Sequence, residues 1–240
     1  MFFRSLIALV LMLIFQGTLV ADPIRLSSYL EPPFSAQDGR GQVDLLLKEA
    51  FKRLDRQAEV EIYPEQRGLM LADGGHVDGH FLRTSSVDEL YPNLIRVPVP
   101  IYRSSYYAYS LDPDLQIADW EDLKGHQVTY PAGWQVFDSR SEYYGSAVPL
   151  HDDGQMAQLI RLQIFDVLLY EDQALSLLLE PELRQRLQRS AVLLESNLYL
   201  LLHHRHQSQI APLAKVLRQM QQDGSWSTLC PECQRSLERH

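Results

Sequence analysis

From Ile24 to Gly224 the chain keeps changing between two hydrophobic periods, and this alternation restricts its possible folds more than any other feature. Ile24 to Tyr29 alternates apolar and polar side chains as a strand does. Pro32 and Pro33 then stop it, since proline cannot donate to a sheet ladder. Val43, Leu46, Leu47, Ala50, Phe51 and Leu54 recur at helical spacing with Lys48, Glu49, Lys52 and Arg53 between them, which marks an amphipathic helix. Ala58 to Tyr63 reads as a second strand, Arg67 to Ala72 as a short helix ended by Gly74-Gly75, and His76 to Gly79 as the start of another strand. Further strands are expected at Tyr106–Leu111, Gln127–Tyr130, Asp166–Tyr170, Ala191–Leu194 and Asn197–Leu202. Helical stretches are expected around Met156 to Ile160, from Asp172 to about Leu187, and through Ile210, Leu213, Leu217 and Met220. Strands and helices in alternation, rather than in blocks, predict an α/β fold with mainly parallel sheet.

Charge narrows the possible partners. Among 240 residues, 31 Asp and Glu face 22 Lys and Arg, a net charge of -9, so the molecule repels polyanions and a nucleic-acid partner is not expected. At the amino end Arg4 precedes an unbroken apolar run from Leu6 to Phe15, and Leu19-Val20-Ala21 ends on a small residue before Asp22. The pattern predicts a cleavable signal peptide over residues 1–21 and a periplasmic protein. The run is shorter than the roughly 20 apolar residues of a membrane span.

Several segments in order then carry a resemblance: Tyr29 to Ser35 (YLEPPFS), Val43 to Phe51, Gly75-His76-Val77-Asp78, Val97 to Tyr102, Trp120 to Gly125, Asp166 to Glu171, and Met220 to Trp226. Together the chain resembles the family 3 extracellular solute-binding proteins, the polar amino-acid type of bacterial ABC uptake systems. The resemblance implies a type II periplasmic binding fold of two α/β lobes with a small-molecule solute between them. Lobe 1 would comprise 22–107 plus 197–240 and lobe 2 108–196, with crossings near Ser104 to Leu111 and Leu194 to Tyr199. It also implies a monomer without a cofactor, and an ABC permease or a sensor kinase as partner.

The ligand positions depart from the family pattern. Glu31 stands where relatives carry a stacking aromatic, just before Phe34. Thr84-Ser85-Ser86-Val87 lacks the arginine of the Thr-x-x-Arg carboxylate clamp, for which Arg83 and Arg67 are the substitutes expected beside Thr84. Gly133-Trp134 replaces a Gly-Ser or Gly-Thr pair, offering an indole to a planar or cationic ligand. Glu171 matches the carboxylate that receives the solute's amino group; its alternative is a charge placed to offset a helix dipole.

Cys230-Pro231-Glu232-Cys233 in an exported chain is expected to form a local disulfide. His203-His204-Arg205-His206 fits no standard zinc spacing, so no metal is expected. P-loop, G-x-S-x-G, H-E-x-x-H and G-x-G-x-x-G signatures are missing. The expectation is a solute-binding protein rather than an enzyme. The alternatives are a cyclohexadienyl-type dehydratase on the same fold, or a sensory or interaction protein with a degenerate cleft.

Overall fold

The computed structural model describes residues 22–29, 32–84 and 90–238; the expected signal peptide lies outside these residues. In chain order the elements are β1 (Ile24–Ser28), α1 (Gln42–Lys52), β2 (Ala58–Ile62), α2 (Glu65–Asp73), β3 (Gly79–Arg83), β4 (Leu94–Arg96) and β5 (Tyr102–Ser110). They continue as β6 (Gln127–Pro131), α3 (Gln135–Asp138), β7 (Ser146–Leu150), α4 (Asp153–Leu162), β8 (Val167–Glu171), α5 (Asp172–Leu178), α6 (Pro181–Arg184) and β9 (Gln188–Arg189). The chain closes with β10 (Leu194–His203), α7 (Gln207–Gln222), α8 (Ser225–Leu229) and α9 (Pro231–Glu238).

The main strand order is β2-β1-β3-β10-β5-β8-β6-β7, with β4 paired to β10 and β9 to β5. Two parallel sets lie at the ends of this order: β1 with β2 and β3, and β6 with β7 and β8. Between them β5 and β10 run antiparallel to each other and to the strands beside them. The sheet is therefore mixed rather than mainly parallel. β5 and β10 are the two longest strands, and their polar–apolar mixture gave no sign of antiparallel pairing. β10 holds β3 and β4 with its carboxyl half and β5 with its amino half. It thus joins both parallel sets through one continuous backbone.

Separate hydrophobic cores form on the two sides. One gathers Leu26, Leu46, Phe51, Phe81, Leu200, Leu217 and Trp226, and others gather Tyr106, Val128, Phe137 and Val167, and Met156, Ile160, Leu168 and Leu175. Fully buried aliphatic and aromatic side chains contribute about 1.5–3 kcal/mol each. The apolar face of α1 supplies Val43, Leu46, Leu47, Ala50 and Phe51.

Several local expectations change. β5 begins at Tyr102, and Leu194 joins one long strand, β10, rather than a separate strand at 191–194. The helix expected from Asp172 to Leu187 is two short ones, because Pro181 has no N–H to continue α5 and instead starts α6. Strands β4, β7 and β9 were not read from the sequence. β7 contains Pro149, which an edge position tolerates. Two more helices follow α7, and the Cys230–Cys233 disulfide lies at the corner between them, fully buried in the larger core.

Candidate functional site

In a parallel set, all carboxyl ends lie along one edge, and the loops that leave that edge are where open α/β sheets meet ligands. On this edge of the first set stand Tyr29, just past β1, Glu65, opening α2 after β2, and Arg83, the last residue of β3. A backbone irregularity brings Arg83 to the others. Arg83 pairs with Tyr199 while Phe81 pairs with the next residue of β10, Leu200, so Leu82 is an extra residue in the ladder. Leu82 has φ +58° and is buried, a left-handed conformation that a leucine adopts only at a cost of about 1–3 kcal/mol. Side chains alternate faces along a strand, and one extra residue shifts everything after it by one step. Arg83 is thereby turned to the face of His80.

That face is built around His80, which is fully buried. Gly68 of α2 passes so close that a Cβ there would sit 3.1 Å from the imidazole. Arg83 Nε donates to His80 Nε2 at 3.2 Å, so Nδ1 carries the imidazole proton and donates to Ser27 Oγ at 2.7 Å. The serine hydroxyl lies 3.1 Å from both the Gly68 and Gly79 carbonyls, either of which accepts its proton. Burial, reinforced by the charge of Arg83, holds the His80 pKa well below its ordinary 6.5, so the ring is neutral. Tyr29 stacks parallel to His80 at 6.4 Å, and the Arg83 guanidinium lies over the Tyr29 ring at 4.2 Å.

Arg83 is 9% exposed. Its Nη2 stands 2.8 Å from Glu65 Oε1, but not along an N–H direction, and it has no hydrogen-bond acceptor among the described residues. Tyr29 keeps part of its surface exposed, yet burial raises its phenol pKa, with Arg83 pulling the other way.

On the second set, Gly133 follows β6 and Glu171 ends β8. Glu171 is buried and caps α5: Oε2 accepts from the Ala174 N–H at 2.6 Å and Oε1 from the Tyr102 hydroxyl at 3.1 Å. Gly133 adopts φ +82° in an exposed turn, a conformation that suits glycine. Trp134 is half-buried, stacked on Phe137 at 5.9 Å and packed against Tyr106 and Tyr170. Tyr106 lies on β5, between the two sets. Burial raises the Tyr106 pKa, and the phenol lies in the field of Tyr29 and Glu171 as well as Arg83.

Other expected contacts sit apart from this cluster. Phe34 is buried in the larger core, edge-on to Tyr102 at 5.2 Å. Its loop is tied down by the fully buried Asp44, which accepts from Ser35 Oγ at 2.6 Å, Gly41 N–H at 2.9 Å and Ala36 N–H at 3.0 Å. Arg67 is exposed, over the Tyr63 ring at 5.8 Å. Thr84 is half-buried beside Arg83, and Glu31 lies outside the described residues. The His203–His206 segment is a strand end and a turn, with His206 and Arg205 both on Asp78. Among the described residues no group of His, Cys, Asp or Glu is arranged to hold a metal. Glu65, His80 and Tyr29 were not singled out from the sequence; Arg83 was, but a regular strand would place it and His80 on opposite faces.

The fold that carries these residues has many counterparts of known structure. The GluR0 ligand-binding core from Nostoc punctiforme, solved with L-glutamate, superposes with a TM-score of 0.69 at 15% identity, over 86% of this chain and 97% of that one. An arginine 3rd transport system periplasmic binding protein from Legionella pneumophila gives 0.67 at 16%, over 88% and 99%. The fold is that of the two-lobed periplasmic binding proteins. A histidine kinase sensor domain with similarity to periplasmic binding proteins gives 0.70 at 13%, over 88% of this chain and 95% of that one. By sequence, the chain is 26% identical over 204 residues to an uncharacterised protein of Shewanella oneidensis MR-1, covering 82% of this chain and 77% of that protein. No model of a known protein family matches the chain.

Proposed function

We propose that the protein is a periplasmic solute-binding protein that captures a small polar solute carrying a carboxylate, without chemistry, and delivers it to an ABC permease or reports it to a sensor kinase. The solute lies between lobe 1, residues 22–107 plus 197–240, and lobe 2, residues 108–196, with β5 and β10 as the crossings. One observation carries this reading: Arg83 is buried at the carboxyl edge of the first parallel set, oriented by His80 and Tyr29, and its Nη2 has the Glu65 carboxylate at 2.8 Å but makes no hydrogen bond to a described residue. A buried arginine donor is costly to leave unmade, and a solute carboxylate would complete it.

Glu171 and Trp134 contribute from lobe 2, Glu171 through the carboxylate that also caps α5 and Trp134 as an apolar wall. Lobes that close on such a solute do so as hinged bodies. The test is a thermal-shift screen of the purified protein against amino acids, organic acids, polyamines and small sugars, with mass spectrometry of each hit. A solute that raises Tm with saturation and remains unchanged supports the proposal. Arg83→Ala should lower affinity by on the order of 2–5 kcal/mol. Equal affinity in that variant would remove Arg83 from the site, and turnover of the solute would replace binding by catalysis.

A further inference from the structure

Glu65 is the resident neighbour of the buried arginine, and its position differs from that of a settled ion-pair partner. Its side chain is 35% exposed against 11% for Arg83, so it is the solvent-side member of the pair. It approaches Nη2 at 2.8 Å without taking a hydrogen bond from it, and among the described residues nothing else does. The inner side of the guanidinium is fixed independently, by His80 at Nε and by the Tyr29 face. The guanidinium therefore keeps its place whether or not Glu65 is there. Glu65 is also the first residue of α2, where a carboxylate that swings outward still interacts favourably with the helix dipole. Both positions of the side chain are thus electrostatically supported.

We propose that Glu65 is a built-in stand-in for the solute: its carboxylate covers the Arg83 seat in the empty protein and is displaced by the solute's carboxylate on binding. This rests on the reading of Arg83 as the solute contact, and it makes Glu65 a specificity-determining residue. A solute must bring a carboxylate that aligns with Nη2 better than Glu65 does, so weakly basic oxygens such as hydroxyls and neutral amides are excluded.

Chemical rescue tests the seat without knowledge of the natural solute. In full-length Glu65→Ala the arginine loses its cover and Tm falls by several degrees. Sodium acetate, a free carboxylate of the size removed, should then bind the vacant seat. If it does so at about 10 mM, 100 mM acetate raises Tm by roughly 3–6 °C over sodium chloride of equal ionic strength. Wild type and the Glu65→Ala/Arg83→Ala double variant should show no acetate-specific rise. Glu65→Ser, which also vacates the seat and suits the first turn of a helix, provides a second background if the alanine variant does not fold. An acetate effect equal in wild type, or absent from Glu65→Ala and Glu65→Ser alike, overturns the proposal. That outcome is separate from the solute screen: a solute that depends on Arg83 while acetate fails leaves the binding function standing without the stand-in.

Discussion

His80→Leu removes the group that orients Arg83 while keeping a similar volume in the space beneath α2. At pH 7.5 the structural loss is one charge-assisted hydrogen bond, from Arg83 Nε to His80 Nε2, in a buried setting. Ser27 loses a neighbour but not its outlet, since the Gly68 and Gly79 carbonyls remain. A hydrogen bond to a charged group contributes about 1.5–3 kcal/mol, and better burial of leucine offsets part of this. The expected net loss is about 1–2 kcal/mol. The pH dependence is more diagnostic. The His80 pKa is lowered in the folded protein, by burial first and Arg83 second, so below 6.5 the unfolded chain takes up a proton that the folded chain refuses. Wild type therefore loses about 1.4 kcal/mol per pH unit from this residue as pH falls below 6.5, until the folded-state pKa is reached. The leucine variant loses nothing by this route. Urea unfolding at pH 7.5, 6.5 and 5.5 should show wild type ahead at neutral pH and the two nearly equal at 5.5. A gap that stays constant or widens in acid would mean that His80 is charged in the folded protein, and the tautomer assigned to it would be wrong.

Two further perturbations test the frame around the site. Replacing both Cys230 and Cys233 by alanine opens a four-residue loop and should cost about 2 kcal/mol by the chain-entropy model, read as a lower Tm in calorimetry; an unchanged Tm would leave the link without a stabilising role. Asp172→Asn neutralises a buried carboxylate that accepts from Tyr109 at 3.0 Å and meets Arg184 at 3.0 Å and Arg189 at 3.2 Å. With both arginines substantially exposed, the loss should be about 1–3 kcal/mol. Burial acts to raise the Asp172 pKa, but the Tyr109 hydrogen bond and the arginines outweigh it and the pKa is lowered. Its contribution is thus complete above about pH 3.8 and disappears as pH falls through the lowered value, so acid titration of the variant by circular dichroism should lack that component.

The architecture was legible because periodicity reports burial directly: α1 needs an apolar stripe to cover the sheet, and β8 needs an unbroken apolar run because both its faces are covered. Arg83 was legible as a cation at a strand end near a missing clamp. Its surroundings were not. Strict alternation separates residue 80 from residue 83, and only the extra residue at Leu82 reunites them. Glu65 lies 18 positions away in sequence and meets Arg83 only because β2 and β3 flank β1 in parallel. Glu171 shows the opposite difficulty. Its position was evident, but a capping carboxylate and a ligand carboxylate look alike in sequence, and here one of its oxygens caps α5 while the other accepts from Tyr102.

The central claim is that a solute carboxylate completes Arg83, and retention of solute tests it most directly. Wild type and Arg83→Ala are equilibrated with a defined mixture of amino acids and organic acids, passed through a desalting column and denatured, and the released small molecules are quantified by mass spectrometry. The account predicts one carboxylate-bearing solute, chemically unchanged, retained at about one per wild-type chain and lost from the variant. A solute without a carboxylate, or the same solute retained equally by both proteins, would contradict it.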